Sequence, residues 1–181
     1  LSSLARVERP DLLELIVVDQ SEDHASARAA ASYGLPFEVR TTSSARGLSH
    51  GRNVGLALAH GEIVTFPDDD CYYLPDTVRR AASLLSDPSV AGVSGVQLTA
   101  DGRPSMIRWP TSARVISRRN FYRTAISSTL FIRRSVVDQV GGFDETLGAG
   151  SGAGYLSGEE SDLVLRILEA GYHLRYEPSL L

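Results

Sequence analysis

The sequence predicts one α/β domain: a mostly parallel sheet flanked by helices. Two observations carry this. In the first half of the chain, short apolar runs ending in β-branched residues alternate with segments of helical periodicity. In addition, 181 residues that are 43% hydrophobic suffice for one core but not comfortably for two.

"LLELIVV" (residues 12–18) reads as a buried strand with Asp19 at its C-terminal tip. Residues 25–33 are alanine-rich and helical, and Gly34 stops them. A short strand over 37–40 leads into the polar stretch "TTSSARGLSHG" (41–51), a loop. Val54, Ala57 and Leu58 then recur at helical spacing within 52–60, with Gly61 as the stop. Residues 63–66 form a strand. Leu74-Pro75-Asp76 opens a helix whose apolar face is Val78, Ala81, Ala82 and Leu85. Residues 90–98 predict a strand, 101–123 an irregular basic segment holding the only tryptophan, and 129–132 another strand. The glycine-rich run "GAGSGAGYLSG" (148–158) predicts a mobile loop. A helix follows over 159–170, anchored by Leu163, Ile167 and Leu168, and a last strand over 172–176.

Composition narrows the function. A formal net charge of −4 disfavours a non-specific grip on nucleic acid, although Arg108, Arg114, Arg118, Arg119 and Arg123 leave room for a local anionic partner. The single cysteine, Cys71, excludes an internal disulfide and fits a reducing, cytoplasmic setting. No apolar run approaches the roughly 20 residues of a membrane span, and no signal peptide is visible.

"FPDDDCYY" sets the chemical question. In open α/β sheets ligands bind beyond the carboxyl ends of the strands, where both Asp19 and Asp68–Asp69–Asp70 are expected. Two like charges about 5 Å apart at an effective dielectric of roughly 20 repel by about 3 kcal/mol. Solvent, protonation or a cation must offset that. Oxygen-only ligands suit Mg²⁺ or Mn²⁺, commonly held by few carboxylates plus substrate phosphates. In an extended segment Asp68 and Asp70 point to one side, so they are candidates to share a metal. A solvated acidic turn, with Asp76 as a helix cap, is the plain alternative. Glu159, Glu160 and Asp162 fall in the first turn of a helix, where acids commonly serve only to stabilise the terminus. The four histidines show no metal-ligand pairing, and Cys71 reads as a packing residue. The basic, aromatic stretch around Trp109, Phe121 and Tyr122 is a solvated surface or a receiver for an acceptor sugar or anionic lipid carrier.

Four segments, in order, carry a resemblance. "LIVVDQSED", "GRNVGLALAHGEIVTFPDDDC", "GGFDE" and "SGEESDLVLRILEAGYHLRYEP" are similar to the motifs of family-2 inverting glycosyltransferases, which have the Rossmann-like GT-A fold. The resemblance implies that Asp19 meets the nucleotide base and that Arg52 lies near the base or diphosphate. Asp68 and Asp69 fall near ribose and metal, and Asp70 binds the metal most directly. Glu160 matches the catalytic base, where the family usually has Asp, and Glu159 stands beside it as the other candidate. It implies a divalent cation, a nucleotide diphosphate-sugar donor (a UDP-sugar by preference), and a sugar, glycan or lipid-linked acceptor. Residues 1–98 would form the nucleotide-binding half and 99–181 the acceptor-side half. The resemblance makes "LSSLARV" a helix that the family's first strand normally precedes; that strand and the family's C-terminal extension have no counterpart here, which predicts a fragment. Polysaccharide or glycolipid synthesis in the cytoplasm, at the membrane surface, is the implied setting. A nucleotidyltransferase, which would release pyrophosphate, and a non-catalytic carbohydrate-binding relative, which would need neither metal nor nucleotide, are the alternatives.

Overall fold

The computed structural model describes residues 1–152 and 154–181; Ala153, within the glycine-rich loop, lies outside the described residues. The chain builds two sheets. In the first, β1 (Glu14–Asp19) and β2 (Glu38–Ser43) pair in parallel, with Glu14 opposite Glu38 and Asp19 opposite Ser43. The helix α1 (Ala25–Ser32) connects them, a crossover that parallel pairing requires. The second sheet comprises β3 (Ile63–Thr65), β4 (Gly92–Ser94), β5 (Arg114–Val115), β6 (Leu130–Arg133) and β7 (Leu174–Tyr176). Their spatial order is β3-β6-β4-β7-β5. Only β4 and β7 run parallel; β6 is antiparallel to both its neighbours, and β5 to β7. The α/β class and single domain stand as predicted, but among the described residues three of the five strand pairings are antiparallel, so the sheets are mixed rather than mostly parallel. The antiparallel insertions come from the second half of the chain, where strand–helix alternation lapses.

Helices cover both faces of the second sheet. Side chains alternate along a strand, so Leu130 and Ile132 of β6 join the larger core cluster with Leu163, Val164 and Ile167, whereas Phe131 faces Ala81, Leu85 and Leu180. The first group lies on α5 (Glu159–Glu169), and Val136 and Val137 of α4 (Arg134–Gln139) join it; Ala81 belongs to α3 (Thr77–Leu84). Ile132, Leu163 and Ile167 are fully enclosed, and truncating any of them to alanine should cost about 2–5 kcal/mol.

Several boundaries differ from expectation. The first seven residues form only a 3₁₀ turn at Leu4–Arg6 rather than a helix. β2 continues to Ser43, and α2 (Leu48–Leu58) begins four residues before Arg52, so the predicted 41–51 loop shrinks to its middle. Gly47, at φ 140°, sets the turn, and Leu48 N–H donates to Ala149 O at 2.9 Å, a contact local propensity cannot foresee. The expected strand over 90–98 pairs only over Gly92–Ser94. Beyond it the C-terminal segment takes over, since a Cβ on Gly95 would fall 2.2 Å from Leu180 O and Val96 N–H donates to that same oxygen. Asp76 occupies the N-cap position of α3 but makes no side-chain cap bond; it pairs with Arg79 and Arg80 instead. The strand expected at 12–18 is only half-buried, apart from Asp19.

Candidate active site

The site is assembled around Arg52. It projects from α2 with its side chain 9% exposed, and its Nη1 donates to Glu159 Oε1 at 2.9 Å while Nη2 reaches Asp68 Oδ1 at 3.3 Å. The guanidinium lies 5.3 Å from the centroid of Phe143 and 6.0 Å from that of Phe66. Those two rings meet edge to face at 4.8 Å. Cation–π attraction and the flat carboxylate pairing both favour arginine over lysine here. One side chain thus joins the acidic stretch after β3 to the N-terminus of α5.

Asp68, Asp69 and Asp70 follow β3 and are solvent-exposed. Burial against the Arg52 side pushes the Asp68 carboxyl above its usual range; Arg52 opposes this, and Asp70, Glu159 and Asp69 add to it. The turn closes with Cys71 N–H donating to Asp68 O at 3.1 Å. Among the described residues no group of three or more His, Cys, Asp and Glu side chains is arranged around one metal position. The donor set still fits a hard divalent ion, since Asp70 is exposed, offers only oxygen and pairs with no arginine among the described residues, with Asp68 two residues away. Beside Asp70 a mainly apolar cleft of about 220 Å³ opens, lined by Cys71, Tyr72, Gln97, Leu98 and Leu180.

Glu159 and Glu160 open α5 side by side but in unlike environments. Glu159 has 6% of its side chain exposed; Oε1 takes the Arg52 bond, and Oε2 is buried with no hydrogen-bond partner among the described residues. Gly148, at φ 91°, makes room for it, because a Cβ there would stand 3.3 Å from Oε2. Glu160 is half-buried. Burial pushes its carboxyl above the usual range; its own backbone N–H opposes that, and the neighbouring Glu159 carboxylate adds to it. Asp162, the third acid of the turn, is tied to Arg166 at 2.7 Å.

Asp19 shares no hydrogen bond or ion pair with this cluster among the described residues. It is 4% exposed, and its Oδ1 accepts from Ser21 N–H at 2.9 Å and from the Ser21 hydroxyl, while Oδ2 accepts from Ala27 N–H at 2.8 Å. These bonds hold its carboxyl down at about 2. The residue anchors the first turn of α1. The next residue, Gln20, does the bridging: Nε2 donates to Ser44 Oγ, Ala45 O and Gly47 O, and Oε1 accepts from Gly47 N–H. A Cβ on Gly51 would fall 2.7 Å from Gln20 Nε2, so the glycine preceding Arg52 is a packing requirement.

Sequence reasoning missed Gln20 and the supports of Phe143. Asn53 Oδ1 accepts from Phe143 N–H at 2.8 Å, and its Nδ2 donates to Phe143 O and to Glu145 Oε1, both at 2.9 Å. Gly142 (φ 71°) cannot carry a Cβ, which would meet Asn53 Oδ1 at 2.7 Å. Arg166 reaches the same turn through Val140 O and Gly142 O. The adjacency of Arg52 and Asn53, with the paired glycines before Phe143, was the available signal.

The α/β layering and the acidic strand end facing a helix N-terminus define a GT-A type of protein, the fold of nucleotide-sugar transferases. The model of glycosyl transferase family 2 matches residues 1–142, and the chain belongs to that family. It is 29% identical over 183 residues to the pre-mycofactocin glycosyltransferase of Mycobacterium tuberculosis, covering 92% of this chain and 36% of that protein. It is 27% identical over 173 residues to glycosyltransferase AglE of Haloferax volcanii, covering 90% of this chain and 53% of that one. The chain thus spans about a third to a half of these curated relatives. Among solved structures, the mannosyltransferase PcManGT of Pyrobaculum calidifontis, in complex with GDP-Man and Mn²⁺, superposes with a TM-score of 0.72 at 23% identity. It covers 99% of this chain and 50% of that one. TarS (residues 1–349) of S. aureus gives 0.74 at 20%, over 92% and 49%. At such identities the likeness is one of fold. Among the described residues no helix is long and apolar enough to cross a membrane.

Proposed function

We propose that this chain carries the catalytic site for transfer of a sugar from a nucleotide diphosphate-sugar to an acceptor hydroxyl, with inversion. The observation that carries the reading is the Arg52 bridge, which joins the aspartate cluster to the Glu159–Glu160 helix end. Residues 1–98 act as the donor-binding half and 99–181 as the acceptor side. Asp19, Arg52, Asp68 and Asp69 serve donor binding: Arg52 through its charge, and Asp19 by ordering the loop after β1 as well as by meeting the base.

Asp70, with Asp68, would hold a divalent cation, Mn²⁺ or Mg²⁺, which when bound neutralises charge on the leaving diphosphate. The Mn²⁺ and GDP-Man complex of the mannosyltransferase neighbour and the UDP-GlcNAc complex of TarS are consistent with such a donor; a UDP-sugar is the first to test. Glu160 takes the acceptor proton as the hydroxyl attacks the anomeric carbon. Its raised carboxyl suits a general base, which gains strength as its pKa approaches the working pH. Glu159, engaged by Arg52, positions the helix end. The acceptor is a sugar, glycan or lipid-linked saccharide in a cytoplasmic setting.

The test is release of UDP from UDP-sugars with Mn²⁺, with EDTA, and with Glu160→Gln. The expected result is metal-dependent turnover that the variant loses while it still binds UDP. Full turnover by the variant removes Glu160 from the chemistry. Pyrophosphate released from a nucleoside triphosphate instead supports a nucleotidyltransferase.

A further inference from the structure

We propose that the segment running from β4 to the 3₁₀ turn before β6 is a docking surface for an anionic lipid bilayer. The chain carries a net charge of −4, yet residues 102–137 contain eight arginines and no carboxylate. Arg133 and Arg134 are spent on backbone carbonyls of the fold. Arg103 and Arg118 are exposed and paired with Asp101 and Glu169. Arg108, Arg114, Arg119 and Arg123 are exposed, and among the described residues none of them has a carboxylate within ion-pair distance.

Apolar side chains stand among these charges. Met106 is 74% exposed, Val115 63% and Tyr122 58%. Met106 is the centre of a three-residue turn closed by Ile107 N–H donating to Ser105 O, with φ 70°, a conformation costly for a residue with a side chain. The turn is held firmly from beneath. Trp109 Nε1 donates to Ser105 O at 2.8 Å, and the buried Trp109 ring stacks on Tyr176 at 6.0 Å. Arg123 Nε reaches Arg108 O, and Asn120 Nδ2 reaches Val115 O, so the basic and apolar residues share one knitted segment. A fixed, strained turn that lifts a methionine into solvent two residues before Arg108, which has no carboxylate partner among the described residues, suits a surface with anionic headgroups over an apolar layer. A soluble polyanion would need the arginines but not Met106. This surface is independent of the transfer reaction proposed above.

The experiment is flotation of the 181-residue chain with vesicles of phosphatidylglycerol mixed into phosphatidylcholine, against phosphatidylcholine alone. Binding to the anionic vesicles only, weakened by salt, is expected. Each arginine near such a surface contributes about fivefold in partitioning, so replacing Arg108, Arg119 and Arg123 together by Gln should lower it about 100-fold. Met106→Ser should weaken binding without changing its salt dependence. Replacing Arg6, Arg9 and Arg28 by Gln is the charge-matched control and should retain binding; circular dichroism confirms folding of each variant. No vesicle binding, equal binding to neutral vesicles, equal loss in the control, or binding to soluble polyphosphate that Met106→Ser leaves intact with no vesicle binding would each overturn the proposal.

Discussion

Arg52 and Glu159 lie 107 positions apart in the chain and meet at 2.9 Å, each with less than a tenth of its side chain exposed. Removing one partner of a buried pair leaves the other charged group unsatisfied, which costs about 3–5 kcal/mol. Arg52→Ala should therefore lower the urea midpoint sharply. Replacing both residues, Arg52→Met with Glu159→Gln, should recover part of the loss, and a double-mutant cycle measures the coupling.

Glu160 gives a pH signature. Its carboxyl is raised by burial, so the folded state holds its proton more tightly than the unfolded chain does. Its contribution to stability is therefore present below the ordinary carboxylate pKa and lost as pH rises through the raised value. Activity should run the opposite way, rising as pH rises through that value, since the base must be ionised. Opposed contributions of Glu160 to stability and to kcat/KM against pH are the expected result, with the stability slope shifted in Glu160→Gln by the loss of that group's share and the share of Asp68, also raised by burial, remaining.

Asp19 should behave inversely. Its carboxyl is held at about 2 by the Ser21 and Ala27 bonds, so its contribution is present above the ordinary aspartate pKa and lost as pH falls toward 2. Asp19→Asn should be less stable at neutral pH and should lack that acid limb in a denaturation series.

Two glycines separate strain from crowding. Gly142 and Gly102 both adopt positive φ, 71° and 78°. A Cβ meets Asn53 Oδ1 at Gly142 and nothing within 4 Å at Gly102. Gly102→Ala should cost about 1–2 kcal/mol from backbone conformation alone. Gly142→Ala should cost more and also lower activity, because it disturbs Phe143 beneath Arg52.

Much of this was legible from local pattern. α1, α2 and α5 follow from periodicity and glycine stops, and the Asp68–Asp70 and Glu159–Glu160 segments stand out by composition. The long-range relations were hidden. Asn53 imitates a neighbouring strand's backbone for Phe143, Gln20 clamps the loop ahead of α2, and nothing near Arg52 in sequence announces Glu159. α4 went unseen because six residues show little more than one and a half turns of periodicity. The strand at β4 reads too long from sequence because Leu180 packs against Gly95 and its carbonyl takes the Val96 N–H, which no local rule anticipates.

Among the described residues the two sheets share no ladder. Where a backbone bond between them would be expected, Glu14 of β1 accepts the N–H groups of His60 and Gly61 just ahead of β3, and takes Arg40 of β2 as well. Mechanically, the β1–β2 unit is fastened to the rest of the molecule by side chains and by α2. Its amides should therefore exchange with deuterium as a separate, faster class than those of β4 and β6. Force applied across that seam should part it before any ladder in the larger sheet gives way.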